Sequence, residues 1–331
     1  MSAGLDHGSA QAAGIHVLQI PTPFAVGRVN CYLIEDDPLT LVDTGPNSGK
    51  ALDDLQRQLA AHGHAIEDLE LIILTHQHID HTGLASILAE RSGADVAAIE
   101  LLAGFLQSYA RDAELDDVHA AGLMLRHGIG EDMVTALRSV SQSFRAWGAS
   151  CEVTRPLVDG GRLELRDRRL TVQHRPGHSP TDTCFWDEER SILLSADHLI
   201  GHISSNPLLS RPLDGSSDRP KALLTYLASL RMTRELPAKL LLPGHGEPVS
   251  DHVELIDKRF EMHRRRADKL HRLIAEEPRT AHALAQALWG NVAVTQAFLT
   301  LSEVLGHTDM LVAEGRVVEI VEGEVAHFET V

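Results

Sequence analysis

The run Leu71-Ile72-Ile73-Leu74 passes without a break into Thr75-His76-Gln77-His78-Ile79-Asp80-His81-Thr82-Gly83, and nothing else in the chain constrains its fold so tightly. A continuous apolar run of this length suits a strand buried on both faces, as in a parallel sheet covered by helices. Three histidines and an aspartate within six residues have no place in such a core, because each would need its own buried partner. They belong at the end of the strand. In extended backbone alternate side chains point the same way, so His76 and His78 converge on one point. A turn into a helix near Thr82 sends Asp80 and His81 toward a second. Neutral imidazole is a ligand for zinc and other divalent metals, and a neighbouring carboxylate widens the choice to harder ions.

The flanking segments say what carries this motif. Ile15–Ile20, Val29–Ile34 and Leu39–Val42 are rich in Val, Ile and Leu and are bounded by Pro, Gly and Asp, which predicts short strands. Ser48 to His62 has apolar residues at helical spacing (Ala51, Leu52, Leu55 and Leu59). Residues 99–150 form a helical insert of two or three helices, after which strand patterns return from Val153 to Ala196. A helix over 221–236 and a strand at Leu240–Leu242 complete a mixed order of elements, which implies sheets covered by helices. Three more strands end in chemistry-bearing loops: Pro176-Gly177-His178-Ser179, Ala196-Asp197-His198 and Pro243-Gly244-His245-Gly246. Strand ends are where α/β proteins build sites. No Gly-x-Ser-x-Gly elbow is present, so a serine nucleophile is not indicated.

With these motifs together, the chain resembles the metallo-β-lactamase superfamily over residues 15–250. The signature H-x-H-x-D-H matches at His76, His78, Asp80 and His81. The later ligands of the family match in order at His178, Asp197 and His245, and its early aspartate at Asp43. The resemblance implies a four-layer αββα sandwich with two metal ions at one edge. It implies His76, His78 and His178 on one ion, Asp80, His81 and His245 on the other, and Asp197 bridging. Asp43 would orient a ligand without binding metal. Zinc is the expected metal, with iron or manganese as alternatives. Two such ions roughly 3.5–4 Å apart can share a hydroxide and clamp a substrate oxygen. The chemistry expected is hydrolysis at a centre that Asp80 helps to form. His202, shortly after Asp197, is a candidate proton donor to the leaving group; His198 is a weaker one.

From about Asp251 the character changes. A long charged helix over Val253–Glu277 precedes shorter ones at Ala281–Leu288, Val294–Leu299 and Ser302–Glu314, and a hairpin follows around Glu322-Gly323. Residues 251–331 therefore read as a small winged-helix-like module beside a catalytic domain over 1–250. It resembles the appendage of a subgroup containing polyketide-type thioesterases and an endoribonuclease.

Charge separates these two chemistries. The chain carries a net charge of −17, which repels polyanions. Residues 281–331 hold one basic residue, Arg316, against the seven acids Glu303, Asp309, Glu314, Glu319, Glu322, Glu324 and Glu329. A nucleic-acid reader needs a basic face, and Arg264-Arg265-Arg266 is interleaved with Glu261 and Asp268 on a helix where charges pair at i,i+4. Hydrolysis of a small acyl substrate (thioester, lactone or ester) thus ranks first. Cleavage of RNA or another phosphodiester ranks second, and a metal-binding effector with little turnover third. Leu284, Leu288, Phe298, Leu301, Leu305 and Leu311 predict an apolar face on the tail that is buried on the main domain or on a second subunit. Cys31, Cys151 and Cys184 are widely spaced and unpaired in pattern, which favours buried thiols and a reducing cytoplasm over a disulfide scaffold. Residues 1–14 lack the pattern of a secretory signal, and no apolar run approaches the roughly 20 residues of a membrane span.

Overall fold

The computed structural model describes residues 3–213, 215–216 and 218–331. They divide into two compact units. The first comprises residues up to Asp112, Phe144–Ser205 and Glu235–His252; the second comprises Ala113–Ser143, Asn206–Arg234 and Val253–Val331.

The first unit holds two sheets. One has the order β1 (Ile15–Ile20), β2 (Val29–Ile34), β3 (Thr40–Val42), β4 (Leu71–Ile73), β5 (Asp95–Ile99), β6 (Arg155–Leu157). β1, β2 and β3 pair antiparallel, whereas β3 to β6 are parallel. The other sheet runs β11 (Leu240–Pro243), β10 (Ile192–Ala196), β9 (Thr183–Asp187), β8 (Arg169–His174), β7 (Arg162–Glu164). Every residue of β2, β3, β4, β9, β10 and β11 is buried, as the continuous apolar run at β4 predicts for that strand. Tyr32, Ile34, Val42, Leu71 and Ile73 of the first sheet join Leu170, Val172, Phe185, Ile192 and Leu242 of the second in one core. The helix α2 (Gly49–Ala61) is capped by Ser48, whose hydroxyl accepts from the Ala51 amide, and it buries Ala51, Leu55 and Leu59. Leu88 of α4 (Ala85–Ser92) is likewise buried.

This topology brings the loops of the site together. β3 and β4 are parallel, so both end at one edge. β8 and β10 each pair antiparallel with β9, and β11 is parallel to β10; β8, β10 and β11 therefore point the same way. Hydrogen bonds join the two sheets at that edge: Asn30 N to the Gly244 carbonyl at 2.7 Å, and Thr183 N to the Thr75 carbonyl at 3.0 Å.

The segment expected as two or three helices is three: α5 (Glu100–Gln107), α6 (Tyr109–Arg126) and α7 (Glu131–Phe144). A further helix, α1 (Ala3–Ala12), occupies an N-terminal stretch whose small polar residues carry no strong apolar period. The second unit adds α8 (Ala222–Arg234), α9 (His252–Glu276), α10 (Ala281–Trp289), α11 (Val292–Thr295), α12 (Ala297–Ala313) and the hairpin β12 (Val317–Glu322) and β13 (Val325–Thr330). The apolar spacing predicts a break between Leu299 and Ser302, but α12 runs through. Thr300 and Ser302 donate their hydroxyls to the carbonyls of Gln296 and Phe298 four residues back, at 3.1 and 2.9 Å, which lets these residues sit inside a helix.

Leu284, Leu301, Leu305 and Leu311 are buried within this unit. The boundary expected near 251 is one seam of it, but residues 113–143 and 206–234 belong to it as well. In this way the tail extends its core with helices from distant parts of the chain. All three cysteines are buried and free. Among the described residues no helix is long and apolar enough to cross a membrane.

Candidate metal centre

The site starts with Asp43. It follows β3 in a left-handed conformation (φ 58°) that aspartate tolerates better than most residues, and its amide donates to the Ile73 carbonyl at 2.8 Å. Its carboxylate thereby comes to lie beside the end of β4, accepting from the Thr75 amide (3.0 Å), the Thr75 hydroxyl (2.8 Å) and His81 Nδ1 (2.7 Å). Because the Thr75 hydroxyl gives its proton to Asp43, it accepts from His76 Nδ1, 3.0 Å away. His245 Nδ1 in turn donates to the Arg28 carbonyl at 2.8 Å. For His76, His81 and His245 the Nδ1 proton is thus fixed, and Nε2 is the ring nitrogen turned toward the interior.

Seven side chains converge there. His76 Nε2 and His178 Nε2 each lie 3.0 Å from His78 Nδ1. One oxygen of Asp197 lies 3.5 Å from His81 Nε2, and the other lies 3.5 Å from both His178 Nε2 and His245 Nε2. His245 Nε2 is also 3.5 Å from Asp80. Three overlapping groups emerge, each with its donor atoms close enough together to hold one ion: His76, His78 and His178; His76, His81 and Asp197; Asp80, His81 and His245. These groups unite every residue of the predicted ligand set.

Two backbone features aim Asp197. Ala196 is forced into a left-handed conformation (φ 44°) where the register between β10 and β11 slips, a conformation that is costly for a residue with a Cβ. Gly244 lies so close that a Cβ there would be 2.2 Å from the Asp197 oxygen and 2.8 Å from His81 Cε1. Nothing in the sequence pattern marks Thr75 or Gly244 for these roles. Gly244 stood in a noted motif, but its spacing says nothing about what faces it.

The electrostatics suit cations. Burial drives His76 well below the usual imidazole range, helped by His81 and His78 beside it. Burial also brings His78 down to about 3. Around His81 burial acts the other way from the carboxylates, but Asp197, Asp43 and Asp80 prevail and raise it well above its ordinary value. Burial opposes the charge on Asp197 too, yet His81 and His245 hold it well below the usual carboxylate range. The donor set fits divalent metal on a direct observation: among the described residues His81 Nε2 and Asp197 Oδ1 are buried with no hydrogen-bond partner, an arrangement that costs free energy unless a further group satisfies it.

The family model of the metallo-beta-lactamase superfamily matches residues 25–245. The chain belongs to that superfamily. Among its relatives, the "Probable metallo-hydrolase YqjP" of Bacillus subtilis (strain 168) is 33% identical over 313 residues, 95% of this chain and 97% of that protein. A bovine "Acyl-coenzyme A thioesterase MBLAC2" is 32% identical over 152 residues, 43% of this chain and 46% of the thioesterase. The crystal structure of a metallo-beta-lactamase family protein from Thermus thermophilus superposes with a TM-score of 0.79 at 28% identity, covering 96% of this chain and 99% of that one. The mixed α/β fold expected from the motifs is therefore that of the superfamily.

His202 and His198, the other sequence candidates, part company. His198 is fully buried, and burial lowers it to about 3. His202 is exposed and its ring lies over Gly246, where a Cβ would be 2.5 Å from His202 Nδ1. That places it beside the loop carrying His245.

Proposed function

We propose that the chain is a dinuclear metal-dependent hydrolase of small acyl substrates, thioesters foremost. The observation that carries this reading is the position of Asp197, whose carboxylate lies 3.5 Å from His178 of one group and from His81 and His245 of the other. In it His76, His78 and His178 hold one ion, Asp80, His81 and His245 the other, and Asp197 spans both. When bound, two such ions supply an activated water and take up charge developing on the substrate oxygen. The protein's part is to hold the donors. Thr75 and Asp43 fix His76 and His81, and the Arg28 carbonyl fixes His245. His202, beside the loop that carries His245, is the residue we assign to hand a proton to a leaving group. A thiolate leaves more readily than an alkoxide, so this proton matters less for thioesters than for esters or lactones.

Zinc is the metal we assign, on the nitrogen-rich donor set. The thioester preference rests on the named thioesterase relative and on charge. In the second unit Arg264 pairs with Glu314, Arg266 with Glu303, and Arg316 with Asp268. Much of the basic cluster is thereby neutralised, and phosphate contacts need free Lys and Arg. We read residues 251–331 as a winged-helix-like packing module, a helical run closed by a hairpin.

The test is a screen of zinc-loaded protein against acyl-CoA thioesters, lactones, carboxylic esters, bis(4-nitrophenyl) phosphate and short RNAs. Thioesters should give the highest kcat/KM. Cleavage confined to RNA or the phosphodiester would overturn the substrate class, and no turnover of any substrate would overturn the hydrolase reading.

A further inference from the structure

A second group of metal-type side chains lies elsewhere in the first unit and shares no residue with the seven described above. His16 stands on β1, Glu35 directly follows β2, His62 caps the C-terminus of α2, and His64 comes two residues later. The fold draws them together in steps. β1 and β2 pair antiparallel, and the Glu35 amide donates to the Gly14 carbonyl at 2.9 Å, which sets Glu35 beside the start of β1. Gly63 turns the chain at φ +83°, so that the amides of both His62 and His64 return to the Leu59 carbonyl at 2.9 and 3.0 Å.

His16 Nε2 is 3.0 Å from one oxygen of Glu35, and His64 Nε2 is 3.7 Å from the other. The rings of His16 and His62 face each other with centroids 4.2 Å apart. One ligand atom each from His16, Glu35 and His62 can be chosen with all three within 4.8 Å of one another.

An ordinary ion pair explains this arrangement poorly. His16 Nε2 lies 3.0 Å from a Glu35 oxygen and holds that carboxylate below its usual range, yet the contact is poorly directed for an N–H···O bond, and His16 Nδ1 is buried without a partner. A protonated imidazole at that distance would aim its N–H at the oxygen. Two donor atoms that approach closely without a well-directed bond are what a shared third centre would leave. His81 Nε2 and Asp197 Oδ1 show the same unbonded approach in the main site. Charging both His16 and His62 would also set two like charges face to face at the 4.2 Å ring separation, a contact that costs free energy. One divalent ion satisfies both rings without either proton.

We propose that His16, Glu35 and His62 form a second, mononuclear site for a zinc-class divalent ion, with His64, 3.7 Å from the other Glu35 oxygen, drawn in as the fourth donor. Three imidazoles and one carboxylate are a tetrahedral zinc set. They also suit Cu(II) or Ni(II), but not Ca(II) or Mg(II), which take oxygen ligands. The site is reachable from solvent: a cleft of about 290 Å³ is lined by His16 and His62, and another of about 420 Å³ by Glu35 and His64. Asp36, Asp37 and Glu70 line the second cleft together with Arg166, which pairs with Asp37, while Asp36 pairs with Arg168. Bound there, the ion ties the end of α2 to the first two strands.

Full-length protein is stripped of metal and titrated with Zn²⁺ against a chromophoric zinc indicator. A His16→Ala/His62→Ala double variant and a His64→Gln single variant are titrated in parallel. Wild type should bind one equivalent more than the double variant, with micromolar affinity. His64→Gln should weaken that equivalent about tenfold, since it removes one ligand. Circular dichroism and hydrolytic activity should match wild type in both variants. Equal zinc stoichiometry in wild type and His64→Gln, with no loss of affinity for any equivalent, would overturn the proposal even if the double variant misfolded. So would an extra equivalent that appears only at millimolar zinc.

Discussion

Gly244→Ala tests how tightly the backbone aims the Asp197 carboxylate. Gly244 does not lie in the left-handed region, so alanine brings no backbone strain there; the change is one of space alone. Its Cβ would stand 2.2 Å from the Asp197 oxygen, and a tolerable contact requires a retreat of about 1 Å. The backbone cannot supply it, because the Gly244 amide donates to the Ala196 carbonyl at 2.8 Å and its carbonyl accepts from the Asn30 amide at 2.7 Å. Asp197 must move instead, and its other oxygen faces both His178 and His245. A displacement of that size at a reacting centre costs on the order of 100-fold, or about 2.7 kcal/mol in activation free energy. Overpacking should cost only about 1–3 kcal/mol of stability, so the variant should fold. The assay is kcat/KM on the best thioester with zinc in excess, beside metal content and a thermal melt. A Gly244→Ala protein with full metal content and activity within threefold of wild type would show that the carboxylate is not fixed where the structure places it.

Three further outcomes are expected. Wild type should carry two metal ions per chain by elemental analysis, and Asp197→Asn should lose at least one together with nearly all turnover while keeping its melting profile. Asp43→Ala frees His81 Nδ1 and the Thr75 hydroxyl, so metal affinity or activity should fall by about 10- to 100-fold, measured by chelator competition. In the second unit His263 and His307 are packed together with ring nitrogens 3.0 Å apart, and burial lowers each to about 3. An unfolded chain takes up these protons near pH 6.5 and the folded one refuses them. Stability is therefore complete above pH 6.5 and declines as pH falls from there toward 3, by up to about 1.4 kcal/mol per pH unit for each histidine. Urea melts at pH 7.5, 6.0 and 5.0 should show a shallower decline in His263→Phe than in wild type, and parallel slopes would refute the assignment.

The sequence by itself determined whatever depends on neighbours in the chain. The apolar run before Thr75 marks a buried strand, and the spacing of His76, His78, Asp80 and His81 places four donors at its end, because backbone periodicity alone decides which side chains face together. The later motifs at His178, Asp197 and His245 were legible as loops after strands. Tertiary structure decided the rest. That Asp43 reaches Thr75 and His81, that Gly244 must lack a side chain, and that His16 meets His62 all depend on which surfaces pack across tens to hundreds of residues, and no local period records it. The same holds for the second unit. Sequence composition changes at Asp251, but residues 113–143 and 206–234 join the tail through its buried core, because an apolar helix face is satisfied by any complementary face, wherever in the chain it arises.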